Sequence, residues 1–282
     1  MAKIEIKGIT HSYAEKVVLE DVSFQLKSNK IYGLIGENGS GKTTLISILA
    51  GIQQPQSGVF DQIHHPGLLL QGVGFYQNLS VHENLRLFAL ERGLPIAQIN
   101  QVLALTSFSP DLYTTKYKAL SQGYKQRLAI ARSFLTDSNL ILLDEPFAAV
   151  DLPTIRVLKK AIKQFVSTTH KSVLISSHQL KEVSDLLDEI IIIRDRKITT
   201  FSNTQHLTDS SQKIYVSFED ANEVASVLEN NSELKVLRRI DDTFEIEINA
   251  SYGTHQLLKW LEEQELQWMK IERQVPLEFI FY

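Results

Sequence analysis

The sequence predicts an α/β fold followed by a small α+β domain, and three observations carry that prediction. A glycine-rich turn, Gly36-Glu37-Asn38-Gly39-Ser40-Gly41-Lys42-Thr43-Thr44, sits between an apolar run at Ile31–Ile35 and a helical stretch over residues 45–50. Two more aliphatic runs, Leu140–Leu143 and residues 173–175, end in Asp144-Glu145 and in Ser176-Ser177-His178. Unbroken aliphatic strands of this kind belong to parallel sheets covered on both faces. Beyond residue 212 the order becomes strand, helix, two strands, helix, strand, which is the pattern of a compact α+β unit.

Bulk properties narrow the classes. With 282 residues the chain can bury a full core, and 43% hydrophobic with 22% charged residues is ordinary for a globular protein. A net charge of −4 predicts no nucleic-acid affinity. There is no cysteine, so neither a disulfide framework nor a thiolate metal site is available. The opening residues alternate at once and contain no apolar secretory core. Aliphatic stretches such as residues 190–193 are far shorter than the ~18 residues of a membrane helix. A membrane role must therefore come through a partner.

Taken in order, residues 4–9 and 17–26 read as strands, with Tyr13 in a polar turn between them. The glycine turn has the context of a phosphate site. Its glycines let several N–H groups converge, and the helix behind adds its positive dipole end. Lys42 would reach terminal phosphates, and Thr43 would offer a hydroxyl to Mg²⁺. The helix runs to about Ala50 and stops at Gly51. Residues 55–58 form a turn, and His64-His65 point to opposite faces without a third ligand nearby, which does not suit a metal site. Ser80-Val81-His82-Glu83 has capping-box spacing and starts a helix with Val81, Leu85, Phe88 and Ala89 on one face. A second helix is expected after Pro95, with Ile96, Ile99 and Leu103 buried. Residues 106–119 are polar and irregular.

Leu120-Ser121-Gln122-Gly123-Tyr124 opens a third helix, buried along Tyr124, Leu128, Ala131 and Leu135. Ser121 suits an N-cap, and Gly123 permits close approach in front of it, so this helix end is either a capped terminus or a second anion site. Asp144 and Glu145 emerge at the C-terminal end of a buried strand, the edge where open parallel sheets bind ligands. Two acids there suit holding Mg²⁺ and orienting water. Asp151 leads into a helix through Pro153, and His178, at the same sheet edge, is a candidate phosphate sensor.

These motifs, in this order and spacing, resemble the nucleotide-binding subunit of an ATP-binding cassette (ABC) transporter over residues 1–208. Gly36 to Thr44 is similar to that family's Walker A loop, Gln71 to its Q-loop, and Leu120 to Tyr124 to its signature. Leu140 to Glu145 resembles Walker B, Ala149-Val150-Asp151 the D-loop, and His178 the switch histidine. The resemblance implies a P-loop NTPase with a RecA-like core and a helical subdomain at about residues 76–137, with residues 209–282 as an accessory domain. It implies ATP and Mg²⁺ as ligands. Tyr13 would stack on adenine, and Gly36, Asn38, Gly39, Ser40, Gly41, Lys42, Thr43 and Thr44 would hold the phosphates. Thr43, Gln71 and Asp144 would hold the metal, and Glu145, His178 and Lys42 would be catalytic. Ser121, Gly123 and Asp151 would face the nucleotide of a second cassette across a head-to-tail dimer. The signature departs from the family's Leu-Ser-Gly-Gly-Gln, but Ser121 and Gly123 are kept. The short stretch between Gly58 and Gln71 implies a trimmed antiparallel subdomain.

The implied partners are an integral membrane permease and a second ABC ATPase subunit, placing the chain at the cytoplasmic face of the cell membrane. The permease is expected to dock a short helix beside Gln71, at Gly74, Phe75, Tyr76 and Leu79. Soluble cassette proteins of translation or antibiotic resistance usually pair two cassettes in one chain, and chromosome ATPases interrupt theirs with heptad runs that are absent from this sequence. Residues 201–212 read as a linker. From residue 213 onward, 7 basic and 14 acidic residues give −7 against +3 for the rest, which argues against nucleic acid or anionic lipid as partner of that piece. Its closing Pro276-Leu277-Glu278-Phe279-Ile280 resembles export-type cassettes of the drug, peptide and polysaccharide group. A dimer-bracing role is the simplest expectation for it.

Overall fold

The structure is a computed structural model that describes residues 3–61, 63–70, 74–201, 213–219, 221–248 and 254–272. The chain divides into two compact units, Met1–Ser202 and Asn203–Tyr282.

The first unit carries two sheets. Strands β1 (Lys3–Tyr13), β2 (Lys16–Lys27) and β4 (Ser57–Phe60) form an antiparallel sheet in the order β2-β1-β4. Strand β1 runs four residues past the expected end, so Tyr13 closes a strand and pairs with Lys16 instead of sitting in a turn. Register shifts after Ile6 and Ile9 break the period-two signal there, while Ala14 turns the chain at φ 52°.

The larger sheet contains β3 (Ile31–Ile35), β5 (Gly67–Leu69), β6 (Leu140–Leu143), β7 (Ser172–Ser177), β8 (Glu189–Arg194) and β9 (Lys197–Phe201). Its order is β5-β6-β7-β3-β8-β9, parallel except for the β8–β9 hairpin. Every residue of β3, β6 and β7 is buried, the serines of β7 included. Leu140, Leu142, Leu174, Ile191 and Ile193 face a core shared with the antiparallel sheet and helix α1 (Lys42–Leu49). From α1, Leu45, Ile46, Ile48 and Leu49 are fully enclosed, about 1.5–3 kcal/mol each. Helix α5 (Leu152–Thr169) packs against β7 with Ile155, Leu158, Ile162 and Phe165 buried.

Helices α2 (Val81–Glu91), α3 (Gln98–Leu105) and α4 (Gln122–Phe134) lie between β5 and β6 in sequence. The capping box forms: Glu83 N–H donates to Ser80 Oγ at 3.2 Å, and Ser80 N–H to Glu83 Oε2 at 2.7 Å. Helix α3 starts at Gln98, two residues later than expected. Residues 95–98 first make a tight turn, Gln98 N–H to Pro95 O, which leaves Ile96 39% exposed. Helix α6 is a single turn, Leu180–Val183.

The second unit is a four-stranded antiparallel sheet with two helices: β10 (Lys213–Phe218), α7 (Ala221–Glu229), β11 (Leu234–Ile240), β12 (Thr243–Ile248), α8 (Thr254–Glu263) and β13 (Trp268–Glu272), in strand order β11-β12-β10-β13. Ile214, Val216, Phe218, Phe244, Ile246 and Ile248 meet Val224, Leu228, Leu257 and Leu261 in its core. Of the expected linker, Phe201 closes β9, and residues 202–212, like residues 273–282, lie outside the described residues.

Candidate functional site

Three neighbouring strands build the site. β6, β7 and β3 lie side by side and parallel, so the segments after their C-terminal ends open at one edge. The glycine turn follows β3, Asp144 and Glu145 follow β6, and His178 follows β7.

In the turn, Gly41 has φ 106°, and a Cβ there would lie 2.9 Å from Leu19 Cδ2. At Gly36 it would lie 2.7 Å from Ile193 O. Glycine is needed at both. Helix α1 then starts at Lys42 with no side-chain cap, leaving its first N–H groups for an anion. Ser40 Oγ is buried with no hydrogen-bond partner among the described residues, as suits a hydroxyl awaiting a phosphate oxygen. Asn38 and Gly39 are exposed at the rim. Lys42 is buried and donates to Gly36 O at 2.8 Å and Glu37 O at 3.0 Å, with Glu145 Oε1 at 3.6 Å. Burial lowers its pKa, opposed by Glu145 and Asp144. This ammonium is already stripped of water and held among oxygens that a phosphate can replace.

Thr43 Oγ1 donates to Asp144 Oδ2 at 2.8 Å, and Ser176 Oγ donates to Asp144 Oδ1 at 2.6 Å. Ser176 Oγ also accepts from Glu145 N–H at 2.8 Å. An all-oxygen pair of hydroxyl and carboxylate suits Mg²⁺. Glu145 adopts φ 48°, uncommon for a non-glycine residue, and its carboxylate lies between Lys42 and His178. Oε1 faces Lys42, and Oε2 lies 3.1 Å from His178 Nδ1. Gln179 Nε2 sits 3.0 Å from His178 Nε2; the amide can only donate, so Nε2 accepts and the ring proton sits on Nδ1, toward Glu145.

Tyr13 is half-exposed, with its hydroxyl donating to Gln53 Oε1 at 2.9 Å and 3.4 Å from Thr44 Oγ1. Lys42, Thr43, Asp144, Glu145 and His178 thus form one contact network, and Tyr13 joins the turn through Thr44. The contacts of Ser121, Gly123 and Asp151 run elsewhere. Ser121 is exposed and accepts from Tyr124 N–H at 3.4 Å, capping α4. A Cβ on Gly123 would lie 2.7 Å from Thr154 Oγ1, so this glycine also answers to packing inside the chain. Asp151 caps α5 by accepting from Thr154 N–H at 3.0 Å, and its hydrogen bonds with Thr154 lower its pKa. Gln71 lies outside the described residues. Sequence reasoning missed Ser176, Gln53 and Gln179. Ser176 had a signal, a polar side chain in the same register as Leu174 in a buried strand; the two glutamines had none.

Beside the site, Leu68, Gly74, Phe75, Tyr76, Phe88 and Arg132 line a groove of about 460 Å³. Phe75, expected at the docking site, is half-buried. It stacks on Tyr117 at 4.9 Å, and the Arg132 guanidinium lies 4.5 Å from its ring. Tyr76 is 61% exposed. Buried Asn84 fixes the segment, accepting from Tyr76 N–H at 2.8 Å and donating to Tyr76 O, Leu79 O and Ser80 O.

A buried lysine in a glycine turn, a Thr–Asp oxygen pair and a strand-end glutamate together define a phosphate-loop nucleotide hydrolase. Comparisons narrow the class. The family model described as ABC transporter matches residues 19–148. The bacitracin transport ATP-binding protein BcrA of Bacillus licheniformis is 30% identical over 82% of this chain and 80% of its own length. The uncharacterized ABC transporter ATP-binding protein YhcH of Bacillus subtilis is 28% identical over 80% of this chain and 78% of its own. Among solved structures, a dimeric ATP-binding cassette bound to ADP and Pi superposes with TM-score 0.63 at 22% identity, over 71% of this chain and 98% of the other. The chain belongs to the ATP-binding subunits of ABC transporters. It is an ATPase subunit that powers a transporter.

Proposed function

We propose that this subunit drives a separately encoded permease that exports a drug, peptide or lipid-like substrate, from the cytoplasmic face of the cell membrane. A relative named for bacitracin transport supports transport as the role, and the direction rests on the resemblance of Pro276-Leu277-Glu278-Phe279-Ile280 to export-type cassettes. The observation that carries the mechanism is the placement of Glu145, pinned between Lys42 and His178 beside the Thr43–Asp144 pair.

Tyr13 stacks on adenine. Gly36, Asn38, Gly39, Ser40, Gly41, Lys42, Thr43 and Thr44 bind the phosphates, with Lys42 exchanging its carbonyl partners for phosphate oxygens. Thr43, Asp144 and Gln71 hold Mg²⁺, which when bound neutralises charge on the terminal phosphates. Glu145 leaves His178 and accepts a hydrogen bond from water, which aims a lone pair of the water oxygen at phosphorus. His178 then faces the γ-phosphate. Ser121, Gly123 and Asp151 of a second cassette close the site, as a homodimer or with a paralogue; a solved cassette of this fold is dimeric. The groove at Gly74, Phe75 and Tyr76 takes a short permease helix. Residues 1–208 form the ATPase domain, and residues 209–282 form an accessory domain that braces the dimer.

The test is Glu145→Gln, which keeps shape and removes the base. It should bind ATP normally, trap a closed dimer seen by light scattering, and lower turnover about a thousandfold. Wild-type turnover would reject Glu145 as the base.

A further inference from the structure

We propose that Gln53 and His11 are positioning residues for nucleotide binding, forming a hydrogen-bonded relay that fixes the Tyr13 ring against the phosphate turn. The inference rests on the reading of Tyr13 as the base-stacking residue.

The relay is directional. Tyr13 O–H donates to Gln53 Oε1 at 2.9 Å, which spends its only proton. At the 3.4 Å contact with Thr44 Oγ1, therefore, the threonine is the donor. The Gln53 amide N–H faces His11 Nε2 at 2.9 Å, so that nitrogen accepts and the imidazole proton sits on Nδ1. His11 is buried, and its Nδ1 has no hydrogen-bond partner among the described residues. A buried unpaired ring nitrogen is unfavourable. What the position supplies is a ring packed edge-on against Tyr13, centroids 5.1 Å apart at 81°, with a lone pair that orients Gln53.

The chain of contacts links three separate segments. His11 and Tyr13 lie on β1, Thr44 is in the first turn of α1, and Gln53 follows that helix. Without it, a half-exposed tyrosine at the end of a hairpin would sample several rotamers, and each nucleotide would have to order it on binding. With it, the ring is held while the adenine side stays open. Thr44, at the phosphate end, and Tyr13, at the base end, keep a set separation, so one ligand spanning both is favoured over phosphate alone.

The experiment is a double-mutant cycle on ATP binding to the full chain, read by calorimetry. Tyr13→Phe keeps the ring and removes the hydroxyl; Gln53→Leu keeps size and removes the amide. Each should raise the Kd for ATP about fivefold, the effect of one hydrogen bond. Together they should raise it no further, because both break the same relay. For Gln53→Leu the loss should appear as a higher KM at retained kcat, with thermal unfolding confirming an intact fold. Tyr13→Ala should weaken ATP by ten- to a hundredfold, as expected for lost base stacking. Wild-type affinity in Gln53→Leu, or additive effects in the double variant, would overturn the relay while leaving Tyr13 as the base platform. Wild-type affinity in Tyr13→Ala would remove the platform, and the relay with it.

Discussion

Ser176→Ala tests whether the carboxylates are held in place by the strand beside them. Ser176 Oγ donates to Asp144 Oδ1 at 2.6 Å and accepts from Glu145 N–H at 2.8 Å, and the residue is fully buried. The substitution leaves a buried carboxylate oxygen and a half-buried N–H unpaired. A hydrogen bond to a charged group contributes ~1.5–3 kcal/mol and a neutral one ~1 kcal/mol, so the local loss should be about 2.5–4 kcal/mol. Asp144 would keep only its bond from Thr43, and its affinity for Mg²⁺ should fall about tenfold. Ser172→Ala is the control, because Ser172 lies on the same strand, is equally buried and donates only to Lys27 O at 2.8 Å. It should lose ~1 kcal/mol. Hydrogen exchange of the β6 and β7 amides reads the local opening energy, and the Mg²⁺ concentration for half-maximal ATPase reads the site. Equal destabilisation by the two alanines, with an unchanged Mg²⁺ requirement for Ser176→Ala, would refute the reasoning.

Asn84→Ala removes the anchor of residues 76–80; basal ATPase of the subunit should survive, while co-purification with its permease drops about tenfold, and full assembly would reject the groove as the docking site. Burial pushes Tyr32 up to about 12 from 10.0. Its folded pKa is the higher, so its contribution to stability is complete below pH 10 and is lost as pH rises toward 12, with a slope of up to ~1.4 kcal/mol per pH unit. Tyr32→Phe should flatten the alkaline unfolding curve in that window, as followed by circular dichroism.

Much of this architecture was legible in the residue order because each signal was local. Ile31–Ile35 and Leu140–Leu143 carry no charged side chain, and such apolar runs have no face to show to water. Ser80 and Glu83 carry their capping box within four residues. In the second unit, alternation of Ile214, Val216 and Phe218 marks one buried face. Where two local rules competed, the reading slipped. Pro95 suits a helix start, but the chain makes a turn first, and only then does the buried stripe of Ile99 and Leu103 begin. Around Tyr13 the bulges of β1 erased the alternation that identifies a strand.

Sequence alone determined the chemistry available here: a glycine turn with Lys42 and Thr43, paired acids after one strand and a histidine after another. Those patterns are set by backbone geometry within a few residues. The tertiary structure alone decided their meeting, since the order β6-β7-β3 brings Asp144 to Thr43 and Ser176 although 101 and 32 residues separate them. It also decided the second tier of contacts, with Ser176, Gln53 and Gln179 orienting the groups that the motifs name. A hydrogen bond between distant segments depends on strand order and register, which no short window of sequence encodes.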